Sequence, residues 1–219
     1  MNTNMTKLMI VPAVLFLLCA NSGTGRCGGP DNAEPAASPA SLSPDEAVRW
    51  LEGLNVFYEQ DYLRTAIARA FGNRIDEGIS HAIETLRLPG RDEAGKPVPG
   101  RAKAYFVARN ILLVYAEAAA ERIPAAYDAG DAVARANLIN VSGAIPGEDV
   151  TGMLVRALDD RTFLDDHDPE RAGEPLRICD LAYNQLVLRF RIKGVLRTIG
   201  PALGTVNRDY HISILRGKL

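Results

Sequence analysis

The chain has no large excess of charge of either sign. Its 219 residues hold 25 Lys and Arg against 27 Asp and Glu, a formal net charge of −2. A nucleic-acid-binding domain normally carries a basic stripe, and a membrane-surface helix a polybasic face, so the bulk charge argues against both. Cysteine is scarce. There are three, Cys19, Cys27 and Cys179, and none sits in a C-x-x-C pair, which argues against a zinc knuckle or a thioredoxin-type site. The histidines, His81, His167 and His211, have no His partner at metal-ligand spacing. Neither H-E-x-x-H nor a G-x-S-x-G nucleophile elbow occurs. No apolar run reaches the roughly 20 residues of a membrane-spanning helix. Nowhere does alternation at period two beat helical spacing, so strands are not expected.

Two motifs come close to a ligand site and miss. Gly90-Arg91-Asp92-Glu93-Ala94-Gly95-Lys96-Pro97 matches a P-loop except at its last position, where Pro97 supplies no hydroxyl for magnesium. It also follows a helical pattern rather than a strand. Asp166, Asp168 and Glu170 place oxygen ligands at alternate positions, as in a calcium loop. Arg171 then stands where that loop needs Gly, and Arg177 where it needs Glu. The loop of residues 159–171, with its stretch Asp165-Asp166-His167-Asp168, reads first as a solvated acidic loop and second as the seat of a metal or small ligand, in an alternative in which the protein is an enzyme or a ligand-binding protein.

What is present begins with a leader. Lys7 precedes the eleven apolar residues Leu8 to Leu18, and Ala20 and Ser22 offer small residues to a signal peptidase. Residues 1–22 are therefore expected to be a signal peptide, which places the protein in the periplasm or cell envelope. Cys19 is a candidate for lipidation, although Leu18 is bulky for the position before a lipidated cysteine. Residues 23–43 are rich in Gly, Ala, Ser, Pro and Asn, lack apolar periodicity, and read as a flexible linker.

From residue 44 the pattern is helical. Ser43-Pro44-Asp45-Glu46 has the form of a capping box with Pro at the first helical position. Val48, Leu51 and Leu54 share one stripe, and Ile67 and Phe71 a second. Further stripes run through Ile79, Ala82, Ile83 and Leu86, through Val107, Ile111 and Leu112, through Met153, Leu154 and Ala157, and through Ile178, Ala182 and Leu186. Trp50, Phe57, Tyr58 and Tyr62 read as core aromatics, with a peptide-docking patch as the alternative. Cys179 reads as a small buried hydrophobe.

A five-residue word occurs three times: Ala94-Gly95-Lys96-Pro97-Val98, Ala129-Gly130-Asp131-Ala132-Val133 and Ala172-Gly173-Glu174-Pro175-Leu176. Each follows an apolar word, Ile79..Ala82-Ile83, Ile123..Ala126-Tyr127 or Leu154..Ala157-Leu158. Gly95 and Gly173 lie 78 residues apart, as do Tyr105 and Tyr183, so one repeat is about 39 residues. The glycine is expected to close a turn, Pro97 or Pro175 to start the next helix, and Asp131 or Glu174 to face its positive dipole end.

In these paired words residues 44–219 resemble HEAT-repeat proteins. The resemblance implies an all-α, right-handed α-solenoid of about three helix pairs with capping helices. It also marks Arg135, Arg177, Asp128 and Asp159 as positions of that family's polar ladder. The first and third turns carry insertions that are expected to project from one edge. The expected function is a non-enzymatic scaffold, without cofactor, that binds a protein or peptide on its concave face or loop edge. Arg91, Lys96, Phe163, Asp165, Asp166, His167 and Asp168 are the candidate contacts. No nucleic acid is expected, and no membrane contact beyond the leader or a lipid on Cys19.

Overall fold

A computed structural model describes residues 39–54, 60–92, 95–164 and 173–219. A short 3₁₀ turn, Pro39–Ser41, leads into nine α-helices among the described residues: α1 (Pro44–Gly53), α2 (Gln60–Phe71), α3 (Ile75–Arg87), α4 (Arg101–Val114), α5 (Ala116–Asp128), α6 (Ala132–Ser142), α7 (Glu148–Ala157), α8 (Ile178–Phe190) and α9 (Thr205–Arg216). The described residues hold no strand, only the isolated bridges Arg91–Pro97 and Phe163–Arg177. Residues 1–38, which hold the expected leader with Cys19 and the expected linker up to Ser38, lie outside the described residues. Leu42 packs on the core and its carbonyl accepts from Arg74 Nη1 at 2.6 Å.

The capping box at α1 is present in full. The Ser43 N–H donates to Glu46 Oε2 at 2.9 Å, and the Glu46 N–H donates to Ser43 Oγ at 3.4 Å. The apolar stripes become the core. Leu51, Ile67, Phe71, Ile79, Leu86, Ile111, Leu154 and Leu186 are all buried. Val48 is buried as well, whereas Leu54 is only partly covered.

Helices pair in sequence. α3 packs on α4, α5 on α6, and α7 on α8. Between pairs, α3 touches α5 and α5 touches α7, while α4 touches α6 and α6 touches α8. Among the described residues no contact joins the α3–α4 pair to the α7–α8 pair. α3 also packs on α6, so each pair meets only the next pair along the chain. The α1–α2 pair covers α3 and α4 at one end, and α9 packs on α8 at the other.

The five-residue word folds in three different ways, which corrects the expectation that it starts a helix each time. Only the middle copy does so: Asp131 caps α6 by accepting from the Ala134 N–H at 2.8 Å, and Ala132 is the first helical residue. In the first copy Pro97 lies in a tight loop and α4 starts at Arg101. In the third, Pro175 precedes α8 by three residues. Glu174 does not face α8 at all. Its carboxylate accepts from the Thr205 N–H at 2.7 Å and so caps α9. Gly95 and Gly173 do adopt the positive φ expected of them, +74° and +123°. Gly130 is needed for closeness instead, since a Cβ there would lie 2.9 Å from Ala134 Cβ.

Candidate functional site

The two long connections leave the stack at the same end. Asn137 on α6 donates to the Leu86 carbonyl, in the last turn of α3, at 2.8 Å. Arg135, two residues earlier on α6, donates to Asp160 Oδ2, just past α7, at 2.6 Å. The Tyr127 hydroxyl at the end of α5 reaches the same oxygen at 3.2 Å. One short stretch of α6 thus gathers the ends of α3, α5 and α7. Burial, reinforced by the Asp160 charge, pushes the Tyr127 hydroxyl well above the ordinary tyrosine range.

The connection between α3 and α4 is ordered by its own backbone. The Asp92 N–H donates to the Lys96 carbonyl, the Val98 N–H donates to the Gly90 carbonyl, and the Lys96 N–H returns to Asp92 Oδ1, all at 2.9 Å. Arg91 Nη1 reaches the Gly95 carbonyl at 2.7 Å. Leu88 is 45 % exposed beside these contacts, and Tyr105 donates to its carbonyl. Of the candidate contact residues, Arg91 and Lys96 therefore sit together on one exposed loop.

The connection between α7 and α8 is zipped at its base. The Ile178 N–H donates to the Thr162 carbonyl at 3.0 Å, and the Leu164 N–H to the Leu176 carbonyl at 2.9 Å. Phe163, which bridges to Arg177 in this ladder, is 51 % exposed. Asp165, Asp166, His167 and Asp168 lie outside the described residues. Among the described residues no group of His, Cys, Asp and Glu could hold a metal ion.

Beneath this loop lies an ionic joint that sequence spacing did not reveal. Arg177 closes on Asp180, its Nη2 donating to Oδ1 at 2.9 Å and its backbone N–H to Oδ2 at 2.9 Å. Asp180 also accepts from Arg208 Nη1 of α9. Asp180 and Arg208 are fully buried, and the Arg177 side chain is 4 % exposed. Arg208 further donates to the Pro175 carbonyl at 3.1 Å and Thr205 Oγ1 at 3.2 Å. At the rim, Asp209 accepts from Arg177 Nη2 at 2.7 Å and from Arg161. Partial burial raises the Asp209 carboxyl, but the Arg177 and Arg161 guanidiniums outweigh it and hold it below the usual carboxylate range. Cys179 is fully buried, with Asp180 against it, and burial pushes its thiol up to about 11. A thiol held neutral in this way is inert, in line with its reading as a small hydrophobe.

The four residues that the resemblance marks all make Asp–Arg pairs. Arg135 and Arg177 do pair with aspartates, but their partners are Asp160, Asp180 and Asp209. Asp128 and Asp159 instead meet Arg156 of α7 and Arg216 of α9. With Asp76–Arg122 between α3 and α5, three Asp–Arg pairs link successive parts of the chain from α3 to α9, whereas α1 meets α3 through Asp45 and His81 at 3.2 Å.

At the other end of the stack an open cleft of about 380 Å³ lies between α1 and α2, lined by Trp50, Asp61, Tyr62, Thr65, Ala66 and Arg69. Tyr62 is 42 % exposed, which corrects its reading as core; Phe57 and Tyr58 lie outside the described residues. Comparison of the chain with known protein families, characterised proteins and solved structures finds no match.

Proposed function

We propose that this chain is an exported, non-enzymatic scaffold, a right-handed HEAT-like α-solenoid that binds a protein or peptide along the edge formed by its α3–α4 and α7–α8 connections. The observation that carries this reading is the common origin of those connections at α6, with Leu88 and Phe163 exposed on them. Loops fixed at their bases on a rigid stack are where binding residues usually sit. The edge is favoured over the concave face because α6, at the centre of its layer, leaves only Asn140 exposed.

The test uses the tagged full-length chain, crosslinked in the cell and captured from the envelope fraction. A stoichiometric partner is expected with the wild type and is expected to be lost from the Leu88→Ser, Phe163→Ser double variant. Both side chains are exposed, so the fold does not depend on them. Retention of the partner by the double variant, or recovery of the bare wild type, overturns the edge reading. The mass of the mature N-terminus checks export: a chain starting after Ser22 reports cleavage there, and a lipid on Cys19 reports an anchor.

A further inference from the structure

The near-zero net charge conceals a separation. Residues 181–219 contain seven Lys and Arg and one acid, Asp209, while residues 1–180 contain 18 bases and 26 acids. Asp209 is already engaged by Arg161 and Arg177. The basic side chains that remain converge. Arg191, Lys193 and Arg197 lie exposed on the turn between α8 and α9. Lys218, just past α9, folds back onto that turn, with its Nζ 3.4 Å from where a Gly194 Cβ would stand. None of these four cations has an ion-pair partner among the described residues. Glu148 and Asp149, next to the Gly147 carbonyl held by Arg189, pair with none of them.

Apolar side chains stand among the cations. Leu188 and Phe190 are each 47 % exposed and Leu196 is 42 % exposed. The turn itself is held firmly: the Tyr183 hydroxyl donates to the Leu196 carbonyl at 2.8 Å, and Asn184 exchanges two hydrogen bonds with the Ile199 backbone. A turn held in this way, which sets exposed leucine and phenylalanine among lysines and arginines that have no ion-pair partner among the described residues, has the chemistry of an interfacial anchor. Its apolar tips enter the boundary between headgroups and acyl chains, and its cations meet anionic headgroups.

We infer that the turn of residues 188–197, together with Lys218, docks on an anionic phospholipid surface. Nucleic acid would also attract the cations, but it offers nothing to Leu188 and Leu196, which favours lipid. The docking is peripheral, because among the described residues no helix is long and apolar enough to cross a membrane. It is independent of the partner edge, which lies on other connections.

The experiment is vesicle flotation of the full-length chain on phosphatidylcholine with and without phosphatidylglycerol. Lys7 and the apolar run Leu8–Leu18 are common to every variant and contribute equally to each, so the difference between wild type and variants on the same vesicles isolates the turn. A clear preference for the anionic vesicles is expected, falling steeply as salt rises. The variant Arg191→Asn, Lys193→Gln, Arg197→Gln, Lys218→Gln should lose roughly a hundred-fold or more of it, since each cation near an anionic surface contributes a factor of about five. Phe190→Ser with Leu196→Ser should weaken binding to anionic vesicles while leaving its salt dependence in place. Equal binding to both vesicle types, or a preference unchanged in the four-cation variant, overturns the inference. So does salt-sensitive binding to single-stranded oligonucleotide without binding to anionic vesicles, which would assign the turn to nucleic acid instead.

Discussion

Between α3 and α5 the polar contact is exposed: Asp76 and Arg122 pair at 2.7 Å with side chains 80 % and 39 % accessible, over a joint of Ile79, Ile83, Ala119 and Ile123. Between α8 and α9 the polar contact is the interior. α9 buries only Arg208, Ile212 and Leu215, and Arg208 meets Asp180 where neither touches water. The first joint rests on apolar area, with its ion pair an ornament of the rim. The second helix has too little apolar surface to be held by burial alone, and it is located by charge. A buried carboxylate flanked by two guanidiniums tolerates few alternative registers, because every misplacement leaves a charge without a partner. The same arrangement makes the terminal joint brittle, since loss of one member strands the others.

The largest test of this contrast is Asp180→Ala. It leaves Arg177 and Arg208 buried without their carboxylate and should cost about 3–5 kcal/mol in urea unfolding. Hydrogen exchange should report α9 opening first. A cost under about 1 kcal/mol would mean that the joint is held by Ile212 and Leu215 after all.

Alkali should find the same joint through Cys179. Its thiol is raised by burial to about 11, above the ordinary value of 9.0 in the unfolded chain. The stabilisation is therefore complete below pH 9 and is lost as pH rises toward 11, by about 3 kcal/mol in all. Cys179→Ala should flatten that slope in a pH series of chemical denaturation. At the acid end the sign reverses for Asp209. Its carboxyl is lowered in the fold, so its contribution is present above the ordinary carboxylate range and fades as pH falls through it.

The recurring glycine sharpens the comparison further. Gly173→Ala should cost at least about 2 kcal/mol, because its φ is +123° and a Cβ would strike the Pro201 carbonyl oxygen at 2.4 Å. Gly95→Ala, at φ +74° with open space around it, should cost about 1 kcal/mol. Equal costs in thermal melts would mean that the third connection relaxes freely over the ionic joint. The smallest effect is expected at the exposed rung, where Arg122→Ala should cost less than about 1 kcal/mol.

The helical content was written in local periodicity. Stripes such as Ile79, Ala82, Ile83 and Leu86 come at helical spacing and are buried where that spacing puts them. Ser43 and Glu46 sit three residues apart and close the capping box, a contact that needs no tertiary information. Asp160 and Glu174 were harder. Asp160 resembles any other acidic loop residue until α6 is packed across it, and Glu174 sits one residue from a proline that suggested the wrong helix. The segregated charge was open to a count along the chain, but a whole-chain sum cancels it.

Helices follow from contacts within a few residues of one another, so the sequence by itself determined that the described residues are all-helical; the recurring word, which folds in three ways, shows that the turns were not determined in this way. The partners of each charge did not follow. Asp180 and Arg208 are 28 residues apart, and Arg161 and Asp209 are 48. Many arginines compete for each aspartate along the chain, and only the docking of α9 decides among them. The convergence of Lys218 on Gly194 was settled in the same way. Local periodicity is set by backbone geometry, which every residue carries with it, whereas the choice among equivalent long-range charge partners exists only once the helices are stacked.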